Sequence, residues 1–310
     1  MYSVGEAIRE RLPAGCACEH VCIEDFLPPD RVAADLDRYR FICRYSPVLL
    51  ALVYSIPWFY KRKYIAECHS PSNLSKLADR ITSFHPATVI CVSHRAAFWV
   101  SNLKRRLPMP FSLWGVNAEY GPSLGWKYLF WEQIDGFLTP VRDSALPWRS
   151  TCTLDIRDIA LPASAQYGEL ARIVGRRDRT LLAGGYWGLG PLVKVTRGLL
   201  RHQSLKIHVV CGENTDLRKK MGKLFEHQSR VILHGQLPSL VDLMAECASV
   251  ITKPGISSLL EARAARRKIF LLPGLPIAER HNADYALEHF GAVWFKPRVF
   301  KQWFEKEEQC

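Results

Sequence analysis

Acidic side chains, long apolar runs and regularly spaced cysteines are all scarce in this sequence of 310 residues. Thirty acidic residues stand against 42 basic ones, a formal charge of +12, which favours polyanionic partners such as nucleic acid, anionic lipid headgroups or phosphorylated substrates. No zinc-finger spacing or RNP-like strand is present and no heptads follow the basic runs, so nucleic acid is not expected as a partner. The N-terminus, MYSVGEAIRERLP, lacks the basic and apolar regions of a signal peptide, which makes a reducing cytoplasmic location the expectation. The ten cysteines fit that setting. Cys91, Cys211 and Cys247 lie in apolar runs and read as small core residues, and Cys16 and Cys18 form a C-x-C with no partner pair at zinc spacing. Low-complexity tracts and fixed-period repeats are missing too. With 48% hydrophobic and 23% charged residues, the chain has material for two cores and is not a disordered protein.

The most apolar stretch, Ser46–Tyr60, is about fifteen residues long and broken by prolines, whereas a membrane span needs ~20. Arg40 and Arg44 precede it, Lys61, Arg62 and Lys63 follow it, and Trp58, Phe59 and Tyr60 sit at its end. Two readings stay open: an interfacial element lying in the plane of an anionic membrane, or a buried helix.

The second half alternates short β-branched runs with helical spacing. Strands are expected at Thr180–Ala183, Lys206–Cys211, Val231–Leu233, Ser249–Thr252 and Lys268–Leu272. Helices are expected at Pro191–Arg201, Asp216–Phe225, Ser239–Cys247, Ser257–Arg267 and Asn282–Phe290. Repeated βα units of this kind imply a parallel, doubly wound sheet. The first half is α/β but less regular: helices at Ser3–Leu12 and Leu74–Phe84, and strands at Val21–Phe26, Thr88–Ser93, Phe111–Val116 and Gly136–Thr139. The interdomain linker is expected within Arg142–Asp178. This gives a domain at residues 1–160 and a second at 161–310, whose terminal Arg298–Gln309 reads as a helix packing back on the first domain.

Three strand-to-helix crossings carry chemistry. Gly184-Gly185-Tyr186-Trp187-Gly188-Leu189-Gly190 follows a strand and opens a helix, so its N–H groups can converge on an anion. In Thr252–Ala262 a strand ends at a Pro-Gly turn, Ser257 or Ser258 can cap the helix, and Glu261 can accept two ribose hydroxyls. Pro273–Asn282 is a third crossing with polar residues clustered at its end. Three such crossings place polar groups along one carboxyl edge of a sheet, where α/β folds bind ligands. A dinucleotide fold would use Gly188, Gly190 and Glu213, but it leaves Lys253–Glu261 unexplained.

The blocks GGYWGLGP, VVCGEN, HGQLPSLVDLMAECASVITKPGISSLLEA and LPIAERHNADYALEHFGA resemble the donor-site blocks of glycosyltransferase family 28. The branch they look most like is that of the monogalactosyldiacylglycerol synthases and processive diacylglycerol glucosyltransferases. The resemblance covers most of Thr180–Ala292. It implies a GT-B fold of two Rossmann-like domains with parallel sheets: an acceptor-binding, membrane-facing one (1–160) and a donor-binding one (161–310). It also implies an inverting transfer from a UDP-sugar with no metal or other cofactor. Carried over, Gly184, Gly185, Gly188 and Gly190 would line the diphosphate. Gly212, Glu213 and Asn214 match a C-G-x-N block, and Gly235, Gln236 and Leu237 the backbone that reads uracil. Gly255, Ser257 and Ser258 would face phosphate, Glu261 the ribose, and Glu279 and Asn282 the donor sugar. Ala278 stands where many relatives have glutamine, which leaves the sugar open.

In the first half, IEDFLPP and RYRFICRYSPVLLALVYSIPWFY resemble the acceptor domain of that branch. VICVSHRAAF resembles a strand ending in a His-Pro pair, with His94 on the histidine and Arg95 in place of the proline; Asn117 stands near an aspartate of the relatives. Relatives open with a strand and a glycine-rich loop bearing a histidine, and this sequence is expected to begin at the helix after them. His94 is therefore the candidate general base, ahead of Glu119 and Asp25. Asp35-Leu36-Asp37 reads as surface helix rather than a metal site. The expected function is sugar transfer to a membrane lipid such as diacylglycerol at the inner membrane face. The alternatives are a soluble acceptor, or a non-catalytic nucleotide-sugar-binding protein, with a partner subunit able to supply the missing strand and loop.

Overall fold

The computed structural model describes residues 2–45, 62, 71–121, 125–126, 129–140, 151–153, 172–237, 239–274 and 279–309. Ser46–Tyr60, most of the expected linker, and Ala278 lie outside them. The described residues through Thr153 form one compact unit and those from Arg172 onward another.

In the first unit, helices α1 (Tyr2–Arg9), α2 (Pro29–Tyr45) and α3 (Pro71–Phe84) precede β1 (Thr88–Cys91). Helix α4 (His94–Lys104) follows, then β2 (Ser112–Val116), β3 (Gly136–Thr139) and β4 (Thr151–Thr153). The sheet is parallel throughout, in the order β1-β2-β3-β4. Its core is aromatic: Trp99 of α4, Trp126 and Phe137 are almost fully buried, with the Trp126 and Phe137 rings edge-to-face at 4.9 Å. Leu74, Leu77 and Ile81, at helical spacing on α3, join the same cluster. The expected strand at Val21–Phe26 is instead extended chain followed by a 3-10 turn at Ile23–Phe26. Asp25 takes the backbone N–H of Cys22 (3.3 Å), so a local side-chain bond competes with strand pairing there. Strand β4 falls inside the expected linker; at three residues it carries too little pattern to be read from sequence.

The second unit runs β5 (Arg176–Ala183), α5 (Leu192–Leu199), β6 (Lys206–Val210), α6 (Thr215–Leu224), β7 (Val231–His234) and α7 (Val241–Glu246). It continues with β8 (Cys247–Thr252), α8 (Ile256–Ala264), β9 (Lys268–Leu271), α9 (Arg280–His289), β10 (Val293–Trp294) and α10 (Pro297–Gln309). All six strands are parallel in the order β10-β9-β8-β5-β6-β7. Counted from β5, this is the 3-2-1-4-5-6 order of a doubly wound nucleotide-binding sheet, in which the order of strands reverses between the neighbouring β5 and β8.

Alternation along the central strands splits the core into two layers. Leu182, Ile207, Val209, Ile251 and Phe270 face α5 and α10, whereas Leu181, Val210, Val250, Ile269 and Leu271 face α7, α8 and α9. Helix α10 belongs to this unit: Phe300 and Phe304 are buried in its core, Phe300 with its ring 5.1 Å from that of Phe270 and Phe304 5.2 Å from that of His202. The sequence-based expectation is that this helix packs on the first domain; its buried aromatic face lies instead in the core of its own unit. Its aromatic residues complete the layer opposite α7–α9, together with α5 and α6. Strand β5 also starts earlier than expected, because its arginines occupy the exposed end of the strand while Thr180–Ala183 are buried. Cys91, Cys211 and Cys247 are buried free thiols, as their apolar context implies, and burial pushes Cys91 and Cys247 up to about 12. No described helix is long and apolar enough to cross a membrane.

Candidate functional site

The loops after β5, β6, β7, β8 and β9 come off the same carboxyl edge, and they hold the donor-site residues expected from the sequence. The loop after β5 folds on itself. Gly188 N–H donates to Gly185 O (3.0 Å) and Leu189 N–H to Gly184 O (2.9 Å), which requires positive φ at Gly185 (+70°) and Gly188 (+56°). The loop after β6 interlocks with it. Glu213 N–H donates to Tyr186 O (2.9 Å), and the Tyr186 hydroxyl donates to Glu213 Oε1 (2.5 Å). A Cβ on Gly212 (φ +59°) would stand 2.6 Å from Gly185 O, and one on Gly188 would overlap Cys211 O. Only glycine lets the two loops close this tightly. Asn214 uses its side chain to cap α6, accepting from Leu217 N–H (2.9 Å).

The loop after β7 carries Gly235, Gln236 and Leu237, with the Arg218 guanidinium of α6 about 3.1 Å from a Cβ placed on Gly235. Gln236 and Leu237 line a pocket of about 120 Å³ together with Gly185, Tyr186, Leu240 and Ser258. Ser258 reaches it from the first turn of α8. Contrary to expectation, neither serine caps that helix: Gly255 holds the cap position and offers no side-chain acceptor. The N–H groups of Ile256, Ser257 and Ser258 therefore have no partner within the helix, which leaves donors and the positive end of the helix dipole facing the pocket side. Glu261 lies in the next turn and is half-buried.

The loop after β9 leads to Glu279, which sits at the cap position of α9, and to Asn282, which is fully buried and donates to Pro254 O (3.2 Å). Glu279 accepts from the Lys253 ammonium. The Lys253 stem passes over Gly185, its Cε 2.5 Å from where a Cβ would be. Gly190 stands apart from these contacts; the nearest atom to an added Cβ there is Leu272 Cδ1 at 3.9 Å. The sequence had marked no role for Tyr186, Arg218, Leu240 or Lys253. Leu240 lies within the expected helix Ser239–Cys247 and Lys253 beside the Pro-Gly turn, and nothing in their spacing separates them from packing residues.

On the neighbouring strands β6 and β7, His208 and His234 stack with ring centroids 5.4 Å apart, and His208 Nδ1 meets His234 Nε2 at 3.2 Å. Burial lowers both below the usual histidine value. The neighbouring ring adds to this at His208 and the Arg218 guanidinium at His234.

In the first unit, His94 opens α4 at the carboxyl end of β1, behind the Ser93 cap, which accepts from Ala96 N–H (3.2 Å). Its ring is edge-to-face with Trp126 at 6.0 Å and packs closely on Gly125. Arg95, in the position expected to hold proline, pairs with Glu24 (3.3 Å) and Asp35 (4.0 Å), tying α4 to the 3-10 turn and α2. Asp37 is exposed toward Arg40, so the two aspartates of the D-x-D serve different cations. Asn117 is buried and donates to Glu119 O (3.3 Å) and Gly121 O (3.1 Å), holding the turn after β2. Asp25 is exposed and spends one oxygen on Cys22 N–H.

No family model matches the chain. Curated relatives do, among them proteins named processive diacylglycerol beta-glucosyltransferase. The one from Bacillus cytotoxicus is 30% identical over 106 residues, 34% of this chain and 27% of the relative. The one from Bacillus mycoides is 26% identical over 283 residues, 84% of this chain and 70% of the relative. Several further curated relatives of that name are matched over less than half their own length. Among solved structures, UGT89C1 of Arabidopsis thaliana superposes with a TM-score of 0.51 at 11% identity, over 92% of this chain and 68% of that one. At that identity the likeness speaks for the fold. The chain has the GT-B fold of two parallel-sheet, Rossmann-like units, and in sequence it is similar to the processive diacylglycerol beta-glucosyltransferases.

Proposed function

We propose that this protein is an inverting glycosyltransferase that moves a sugar from a UDP-sugar to a hydroxyl of a membrane lipid such as diacylglycerol. One observation carries the reading: the glycine loop after β5, braced by the loop after β6, meets Gln236 and Leu237 and the first turn of α8 at one pocket beside the β5–β8 reversal. Such an arrangement suits a nucleoside diphosphate. Backbone N–H groups and a helix dipole meet the phosphate charge, the 235–237 backbone offers hydrogen bonds to the base, and Glu261 serves the ribose.

In this reading the acceptor hydroxyl attacks the anomeric carbon as the carbon–oxygen bond to the diphosphate breaks. The hydroxyl proton passes to His94, and the charge left on UDP is taken up by loop amides and α8 without a metal ion. The lipid acceptor is supported by the names of the relatives, and the anionic inner membrane surface by the +12 charge.

Release of UDP, measured with diacylglycerol vesicles and a panel of UDP-sugars, tests the proposal. Turnover with one of these sugars, lost in His94→Ala, is the expected result. UDP binding without turnover on any lipid or soluble acceptor would refute the transferase and leave a nucleotide-sugar-binding protein. That second reading has one observation of its own: the His94 ring is packed against Gly125 and Trp126.

A further inference from the structure

We propose that Lys253 and Glu279 form an exchangeable ion pair. The donor's phosphate takes Lys253 away from Glu279, and the released carboxylate then accepts hydroxyl hydrogen bonds from the donor sugar. The inference rests on the donor-site reading above and adds to it an order of events and a cation.

The cation is placed for phosphate. Lys253 follows β8, and its stem crosses Gly185, the residue whose positive φ turns the loop after β5; Nζ is 3.6 Å from a Cβ placed there. The ammonium has three donors, of which one is directed to Glu279 Oε1. Both side chains are largely withdrawn from water, at 16% and 9% exposure. An ammonium held there alone would bear a desolvation penalty, so a counter-ion is needed whenever no ligand is present. Glu279 meets that need.

The anion, in turn, has somewhere to go. Its backbone is fixed: Ala283 N–H donates to Glu279 O (3.1 Å), and Asn282 ties the start of α9 to Pro254. Its carboxylate, however, lies beside two residues without side chains. Oε1 is 3.6 Å from a Cβ placed on Gly255, and Oε2 is 2.7 Å from one placed on Gly274. A diphosphate arriving over Gly185 adds negative charge next to Lys253. Two anions then compete for one ammonium, and the more highly charged one repels the carboxylate. Glu279 then gives up the ammonium and turns to the hydroxyls of the donor sugar. Coupling of this kind is reciprocal, so the sugar contact and the phosphate contact strengthen one another.

Titration calorimetry on the full chain with uridine, UDP, UDP-glucose, UDP-galactose and UDP-N-acetylglucosamine separates these roles. Wild type, Lys253→Met, Lys253→Arg and Glu279→Gln are expected to bind uridine alike, which also reports that each is folded. Lys253→Met loses about 10- to 100-fold in UDP affinity and Lys253→Arg keeps most of it, as removal of a charge-assisted hydrogen bond predicts. Glu279→Gln binds UDP about three- to tenfold more tightly, because the competing anion is gone, and loses the extra affinity that the preferred UDP-sugar has over UDP. Weaker UDP binding by Glu279→Gln, the outcome of a purely structural pair, overturns the exchange. So does a Lys253→Met protein that binds UDP like wild type. If wild type distinguishes no UDP-sugar from UDP, or Glu279→Gln leaves the difference intact, the sugar half falls. A wild-type protein that binds neither uridine nor UDP refutes the donor site itself.

Discussion

Replacing Gly188 by alanine tests whether the two interlocked loops form the nucleotide site. The backbone there has φ +56°, and an added methyl would overlap Cys211 O and stand 2.9 Å from Asn214 Cβ. Gly291 supplies the control. It has nearly the same φ, +63°, with nothing within 4 Å of an added Cβ, and it precedes β10 at the opposite edge of the sheet. Gly291→Ala therefore carries the left-handed strain alone, roughly 1 kcal/mol. Gly188→Ala carries that strain plus a parting of the loops on the order of 1 Å, since neither neighbour is the end of a flexible side chain. Parting weakens the bond from Glu213 N–H to Tyr186 O, a further ~1 kcal/mol, so the total is about 2–3 kcal/mol. Urea denaturation of both variants, followed by UDP titration, reads the two effects. Gly188→Ala is expected to be the less stable and to bind UDP at least about tenfold more weakly, while Gly291→Ala binds UDP like wild type. Equal stability losses, or unchanged UDP affinity in Gly188→Ala, would show that the interlock is not what shapes the site.

Other changes give independent checks. Gly198 in α5 and Gly222 in α6 have nothing within 4 Å of an added Cβ, so alanine at either should raise stability by about 0.5–1 kcal/mol in the same denaturation assay; a loss would mean the helices are strained there. Asn282 is fully buried, and Asn282→Leu should cost about 1–3 kcal/mol by leaving Pro254 O unpaired, a figure that a denaturation midpoint shift will confirm or reject. The His208–His234 pair sets a pH dependence. Both folded values lie below the unfolded 6.5, so on acidification the unfolded chain takes up these protons first. Their contribution is fully present above about pH 6.5 and is lost as pH falls through the lowered folded values. Glu246 opposes this shift at both rings; Arg179 and Lys206 reinforce it at His208, as Arg218 does at His234. Thermal midpoints measured from pH 8 to pH 5 should fall in wild type and fall less steeply in His208→Leu; parallel slopes would rule the pair out as the cause.

The five central strands of the second unit and the helices between them were legible in the sequence because their signals are local, whereas the two-residue β10 and the early start of β5 were not. β-branched runs fixed the strands, glycines marked turns with positive φ, and the alternation of strand and helix required parallel pairing. Free cysteines in apolar context and the helical reading of Asp35–Asp37 were legible for the same reason. The first unit was harder. Val21–Phe26 has the composition of a strand, but Asp25 bonds the local backbone, and β4 is too short to carry a pattern.

What only the tertiary structure decided are the relations between residues distant in sequence. Among these are the strand order that puts β5 beside β8, the closure of Gly212 onto Tyr186, and the choice of Gly255 over the serines as the cap of α8. The docking of α10 on Phe270 and the pairing of Lys253 with Glu279 belong with them. Periodicity tells which face of an element is buried but not which element covers it. A lysine in a turn reads the same whether it meets water or, 26 residues further along the chain, a carboxylate.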